Sequence, residues 1–226
     1  MIIAIDGPAG AGKSTVAKKV AERLGFTYIN TGAMYRAITW KALINGISSS
    51  DEDSLVKLAE DSSISFMNNG SRILLDNTDV TNQIRTPEID RSISAVVKLP
   101  RLREIMVRQQ RELGRSDVVS EGRDLTTVVF PHADVKIYLD ASIDERAKRR
   151  QAELKEKGYN LSLEQVKDDT ARRDESDKTR DYGPLKIADD AIIIDTTDMT
   201  IDQVIEKVLD TVKLFSKMSN KKLFPF

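Results

Sequence analysis

"GPAGAGKSTVAKK", residues 7 to 19, follows directly on the short run Ile2-Ile3-Ala4-Ile5 and the carboxylate of Asp6. The stretch fits G-x-x-x-x-G-K-[ST] at every specified position, from Gly7 through Gly12 and Lys13 to Ser14. Glycines let the backbone wrap an anion so that successive N–H groups face it. The lysine reaches β and γ phosphate oxygens, and the hydroxyl can hold Mg²⁺. By composition alone such a match arises in on the order of one chain in a hundred of this length. Here the motif also has the strand before it and the helix after it that a phosphate cradle requires.

Working outward, Val16, Val20 and Leu24 recur at helical spacing from Ser14 to Leu24, and Gly25 is a suitable stop. "FTYIN" reads as a strand and Ala33 to Ile44 as a second helix. Strand and helix alternating in this way predict an α/β fold with a doubly wound parallel sheet. Residues 60 to 98 break the rhythm: "SISFM" and "RILL" flank the turn signal "NNGS", and Thr86 and Pro87 open a helix. This segment reads as an insertion beside the main sheet. Pro100 ends it and starts a helix, Arg101 to Leu113. "DVVS" and "VKIYLD" are further strands, and Ser142 with Glu145 forms a capping box for a helix running to Gly158. From there to Arg180 the chain is dense in charge and poor in apolar residues, which predicts a mobile or loosely packed tract. "AIIID" reads as a last buried strand. Thr200 and Gln203 cap a final helix, with Ile201, Val204, Ile205, Val208, Leu209 and Val212 on one face. The tail "SKMSNKKLFPF" is expected to pack against the core.

Composition bounds the possibilities. The 226 residues suffice for one substantial core and a small inserted lobe. The net charge is only -1 although 31% of residues are charged, so general affinity for nucleic acid is not expected. Without cysteine there is no disulfide framework and no thiolate zinc site. No segment approaches the roughly 20 apolar residues of a membrane span, and Asp6 interrupts the only apolar run near the amino terminus. A cytoplasmic protein without a membrane or nucleic-acid partner is expected.

Arginine carries the second signal. Arg36, Arg101, Arg103, Arg123, Arg146, Arg149, Arg150, Arg172, Arg173 and Arg180 fall at or near predicted element ends. Each alone reads as a solvated charge. Behind a phosphate loop, together, they suit a cleft holding two phosphates, because planar guanidinium forks bind such oxygens bidentately. The lone histidine, His132, reads as a surface group. An alcohol acceptor usually needs a base, whereas a phosphate monoester is largely dianionic at neutral pH. The pattern therefore favours a phosphate acceptor; Asp124 as a base keeps an alcohol acceptor open. No N-K-x-D signature of a guanine switch is present. A non-nucleotide kinase and a nucleotide-dependent binding protein remain as rivals.

"DGPAGAGKST", "NTGAMYRA", "PRLRE", "EGRD" followed by "TVVFP", "KIYLDAS", "ERAKRR" and "RRDESDKTR" resemble, in that order, the bacterial cytidylate kinases. The likeness spans nearly the whole chain. It implies a P-loop nucleoside-monophosphate (NMP) kinase fold, with a core of residues 1–59, 99–149 and 181–226, an NMP-binding insert at 60–98 and a short lid at 150–180. It implies transfer of the γ-phosphoryl group of ATP to CMP or dCMP with Mg²⁺, in pyrimidine nucleotide metabolism, by what is expected to be a monomer. Carried over by position, Gly7, Pro8, Ala9, Gly10, Ala11, Gly12, Lys13, Ser14 and Thr15 would hold ATP, and Ser14 with Glu121, through water, the metal. Arg36 and Arg123 would grip the CMP phosphate, and Thr31 would line its pocket. Ser94, Arg103 and Asp124 would face cytosine, and Arg173, Asp177 and Arg180 the sugar, phosphate or base edge. Lys13, Arg123, Arg146, Arg149 and Arg150 would act on the transferring group. Glu121 stands where many members have aspartate, and Leu125-Thr126 replaces a methionine or isoleucine followed by glycine.

Overall fold

The computed structural model describes residues 1–115, 117–156 and 158–218. Its centre is a parallel five-stranded sheet of β1 (Ile2–Asp6), β2 (Thr27–Asn30), β6 (Val118–Glu121), β7 (Val135–Asp140) and β8 (Ile192–Asp195), in the order β2-β6-β1-β7-β8. Ile3 pairs with Val119 on one side and Val135 on the other, so β1 lies in the middle of the sheet with both neighbours parallel. Such a strand is covered on both faces, which is why it is almost wholly apolar until Asp6.

One face is covered by α1 (Lys13–Leu24) and α8 (Ile201–Met218), whose Val16, Val20, Ile205, Val208 and Val212 pack on Ile3, Ile5, Ile137 and Leu139. Thr200 and Gln203 cap α8 reciprocally, as the sequence predicts. The other face carries α2 (Thr31–Ile44), α3 (Glu52–Glu60) and α5 (Pro100–Leu113), whose Met34, Ile38, Leu55, Leu102 and Met106 form a second core. Helix α2 starts two residues before its expected first residue, because the Asn30 side chain accepts from Ala33 N and so fixes the N-cap.

The segment expected to be an insertion forms an antiparallel sheet of β3 (Ile64–Met67), β4 (Arg72–Leu75) and β5 (Thr78–Asp79), then α4 (Pro87–Val96). Thr86 caps α4 through Ile89 N, as its sequence predicts. Ile73, Leu75, Val80, Ile84, Ile93 and Val96 join the α2–α5 core, so this lobe has apolar surface in common with the body.

Three expectations are corrected, and one helix stands where none was expected. Helix α3 was not anticipated. The tract after α6 (Ile143–Glu156) is no loose segment: Ser162 and Gln165 cap a 17-residue helix, α7 (Leu163–Thr179), which buries Val166, Thr170, Asp174 and Asp177. Three of those four residues are polar, so no apolar period marks it. The capping box at the start of α6 forms only on one side: Glu145 N donates to Ser142 Oγ, while the Glu145 carboxylate turns to Arg149 and Ser142 N donates to Thr197 Oγ1. Strand β8 is an edge strand with Ile192 and Ile193 exposed and Ile194 alone buried among its isoleucines. The end of the tail, residues 219–226, lies outside the described residues.

Candidate active site

The carboxyl ends of β1, β6 and β7 face one edge of the sheet, where open α/β sheets place their ligand crevice. Gly7 turns the chain out of β1 at a φ of 150°, and a Cβ there would stand 2.0 Å from the Leu139 carbonyl oxygen on β7. Only glycine lets the loop pass that strand. Asp6, fully buried just before it, accepts from Leu125 N at 3.0 Å and from Thr126 N and Oγ1, both at 2.7 Å. Burial raises its pKa to about 6 against these three bonds, with the nearby Asp124 charge adding to the rise. The bonds fix a single wide turn over Leu125–Val129, in which Val129 N and Phe130 N reach back five residues to the Asp124 and Leu125 carbonyls. Leu125-Thr126 thus occupies its departure from the family pattern as a partner of Asp6.

Lys13, at the first turn of α1, is buried and donates to the Pro8 carbonyl at 2.7 Å. Burial, and then the positive charge of Arg123, pull its pKa down to about 7 from 10.5, although Glu121 opposes the fall. Ser14 Oγ donates to Glu121 Oε1 at 2.6 Å, and Tyr28 OH reaches the same oxygen at 3.1 Å. Thr31 Oγ1 donates to the Glu121 carbonyl at 2.8 Å, which ties α2 to the end of β6. A hydroxyl and a carboxylate together offer a hard cation two oxygen donors. Among the described residues no group of three metal-ligating side chains exists. That donor set fits Mg²⁺, which keeps several waters and takes phosphate oxygens instead of a full protein cage.

Arginines from four elements converge beyond Lys13. Arg123 donates to Asp177 Oδ2 through Nε at 2.9 Å. Burial would raise the Asp177 pKa, but Arg123, Arg173 and Arg180 outweigh it and hold the carboxyl below its usual range. Arg36 donates to the Ile84 carbonyl at 3.2 Å and pairs with Asp90. Arg150 pairs with Glu153 at 2.7 Å and comes within 3.9 Å of Asp90. Arg173 makes no ion pair within 4.0 Å among the described residues. Solvent reaches its surface, yet protein crowds it on most sides. The resulting desolvation, and then the charges of Arg123, Arg36 and Arg150, lower its pKa to about 10, although the Asp177 carboxylate opposes the fall. Four guanidiniums repelling one another around a group that lacks its own carboxylate describe a place for a multiply charged anion.

Deeper in the cleft, Arg103, 1% exposed, donates to Asp124 Oδ2 and to the Val97 carbonyl, and lies 5.4 Å and 5.9 Å from the Tyr35 and Tyr182 ring centres. Arg180 bonds the Gly183 carbonyl and approaches Asp177 and Asp124. A Cβ on Gly183 would stand 2.2 Å from Asp124 Oδ2, so glycine is needed for this close approach. Arg103 Nε, Arg180 Nη2 and Tyr35 OH are buried without a hydrogen-bond partner, although Arg180 Nη2 lies 3.5 Å from Asp124 Oδ1. Burial pushes the Tyr35 hydroxyl up to about 12, so it stays protonated and available as a donor.

The other sequence-selected residues are placed differently. Arg146 is buried and fully committed, bonding the Ala141 carbonyl at 2.9 Å, the Ala9 carbonyl at 3.0 Å and Asp174. Asp174 in turn accepts from Ala9 N at 3.3 Å, so the pair grips the phosphate loop from both sides of Ala9. Arg149 is tied to Glu145 and to Thr196, before α8. Ser94 is exposed on α4. Sequence reasoning missed Asp6, Asp90, Asp174, Tyr28, Tyr35 and Tyr182. For Asp174 a signal existed: Val166, Thr170, Asp174 and Asp177 share a helical face.

A cytidylate kinase family model matches residues 3–214. The chain is 50% identical over 216 residues to the cytidylate kinase of Caldanaerobacter subterraneus subsp. tengcongensis, covering 95% of this chain and 96% of that protein. It is 51% identical over 218 residues to the cytidylate kinase of Shouchella clausii, covering 95% and 97%. An uncharacterized protein from Eubacterium ventriosum, 13% identical, superposes with a TM-score of 0.50 over 94% of this chain and 98% of that one, a likeness of fold alone. With a P-loop leading into α1 and an arginine-lined cleft beyond it, the chain belongs to the cytidylate kinase family.

Proposed function

We propose that the protein transfers the γ-phosphoryl group of ATP to CMP or dCMP, giving ADP and CDP or dCDP. The observation that carries this reading is the positive cluster of Arg36, Arg123, Arg150 and Arg173 next to Lys13, with Arg173 in no ion pair within 4.0 Å among the described residues. One bound triphosphate on the loop leaves that cluster unused; a second, phosphate-bearing substrate uses it.

In this reading the loop from Gly7 to Thr15 takes the ATP phosphates, and Lys13 exchanges the Pro8 carbonyl for phosphate oxygens and becomes fully charged. Mg²⁺, held through Ser14 with Glu121 by way of water, would offset phosphate charge and orient the β and γ oxygens. Arg36, Arg123 and Arg173 hold the acceptor phosphate in line with the γ-phosphorus. Arg150 adds charge to the transferring group, while Arg146 and Arg149 keep the loop and α6 in register. Positioning and electrostatics then supply the rate, and no base is needed. Asp124, held by Arg103 and Arg180, accepts from the cytosine amine, and the unpartnered donors beside it meet N3 and O2. Uracil would place a carbonyl against the Asp124 carboxylate, leaving buried groups unpaired. Ser94 and Asp177 complete the pocket from α4 and α7. Residues 60–98 act as the NMP-binding insert and 150–180 as the lid, closing over the nucleotides to exclude water.

A coupled assay of ADP formation with CMP, dCMP, UMP and AMP tests the proposal. CMP and dCMP should be turned over well above the other two. Preference for UMP or AMP, or ATP hydrolysis indifferent to every monophosphate, would overturn it.

A further inference from the structure

Asp90 lies in the first turn of α4, at the edge of the arginine cluster. Its two carboxylate oxygens face different guanidiniums: Oδ1 accepts from Arg36 Nη2, and Oδ2 lies 3.9 Å from Arg150 Nη2. Arg36 belongs to α2 in the body, and Arg150 to α6 beside the root of the lid. Both contribute to the positive surroundings of Arg173. The stability of α4 does not call for an acid there. Thr86 already caps the helix, and Glu88 already supplies a negative charge near its N-terminus. What the Asp90 carboxylate does instead is occupy two of the cationic forks that suit an anionic phosphate. A carboxylate and a phosphate dianion in one small cluster repel, so both cannot keep these arginines.

We propose that Asp90 is a stand-in anion. It binds Arg36 and Arg150 while the acceptor place holds no phosphate, joining the insert to the lid root, and it surrenders both arginines as the acceptor phosphate arrives. Asp90 is thus a positioning residue for acceptor binding, and release of α4 is coupled to occupancy of the cluster. The inference rests on the reading that the cluster receives the CMP phosphate.

The test compares Asp90→Asn and Asp90→Glu with the unaltered protein, varying CMP at saturating ATP. Loss of the carboxylate removes both the competing ion pair and the repulsion. The CMP KM of Asp90→Asn should therefore fall about two- to fivefold, the scale of a part-exposed ion pair. The kcat should not rise, and the ATP KM should not change. Asp90→Glu keeps the charge and should hold the CMP KM near that of the unaltered protein, which a merely structural role for the side chain would not require. An unchanged or raised CMP KM in Asp90→Asn, with its Tm preserved, overturns the inference and leaves the kinase reading intact. If the unaltered protein does not phosphorylate CMP at all, the kinase reading fails first and takes the inference with it.

Discussion

The proposed donor half of the cleft lies within one short stretch, Gly7 to Thr15, while the proposed acceptor half draws Arg36 from α2, Arg123 from the turn after β6, Arg150 from α6 and Arg173 from α7. The first half is shaped by backbone: its glycines take turns that side chains would block, and a single lysine crosses the loop. The second half is shaped by side chains that repel one another, with Asp90 paired to Arg36 and Arg150 and Asp177 to Arg123. A backbone cradle can be specified by local residue types. A guanidinium cluster needs a counter-charge for each member that is buried, because a buried unpaired charge is strongly unfavourable. The kinship of the two halves is that each leaves one cation short of a strong anion: Lys13 hydrogen-bonds only a carbonyl, and Arg173 makes no ion pair within 4.0 Å among the described residues.

The largest effect expected from this division falls where the halves meet. Arg146→Ala leaves Asp174 buried without its partner and frees the Ala9 carbonyl, and should cost about 3–5 kcal/mol in denaturant unfolding. Arg150→Ala, which loses only half-exposed pairs, should cost less than about 1 kcal/mol. Equal losses would show that the Arg146–Asp174 grip is not what joins α7 to the loop.

Lys13→Met should lower kcat by about 10²–10³, the scale of removing one preorganised donor to developing charge. The same variant should be more heat-stable than the unaltered protein near neutral pH without nucleotide. The folded pKa of Lys13 is about 7, below its value of 10.5 in the open chain, so the unfolded state binds more protons between them. Stability due to this group therefore rises with pH across that window. The Met variant should lack that rise, as paired melting curves from pH 7 to 10 would show. A Tm that drops in the variant at pH 7 would contradict the charge assignment.

The same contrast governs what could be read in advance. The loop, α1, the NNGS hairpin and the Thr86 and Thr200 caps were legible because each depends on residues close in sequence, and the parallel sheet because strand and helix alternate along the chain even though its partners are distant. Helix α7 was not, since its buried Asp174 and Asp177 pair with arginines and its buried Thr170 bonds its own helix backbone, so only Val166 marks an apolar face. Asp6 could be seen as a strand-ending carboxylate, but its partners are 119 and 120 residues away. The arginines were visible one at a time. Which of them are neutralised (Arg146) and which are left open (Arg173) depends on carboxylates from other elements.

Arg173→Ala sharpens the acceptor side. Removing a charged donor to phosphate should lower kcat/KM for CMP roughly ten- to a hundredfold. Relief of repulsion on Arg123 is offset by the loss of a positive charge near Asp177, so stability should change little. Unaltered kcat/KM for CMP would exclude Arg173 from the acceptor contacts and leave Arg36 and Arg123 to hold the phosphate.

The smallest expected signal separates the two halves most directly. At about pH 8 Lys13, with a pKa near 7, is mostly neutral, whereas bound phosphates favour its charged form. ATP binding should then take up a substantial fraction of one proton, an uptake that fades below about pH 6, where Lys13 is already charged. Working at pH 8 also keeps free ATP fully ionised, since its last phosphate proton has a pKa near 6. Calorimetry in buffers of different ionisation enthalpy measures the uptake, and Lys13→Met should abolish it. CMP, bound to arginines that remain charged throughout this range, should bind with far smaller proton uptake. Equal uptake for the two nucleotides would mean that Lys13 senses the acceptor phosphate as strongly as the donor's, and that the cleft is electrostatically one site.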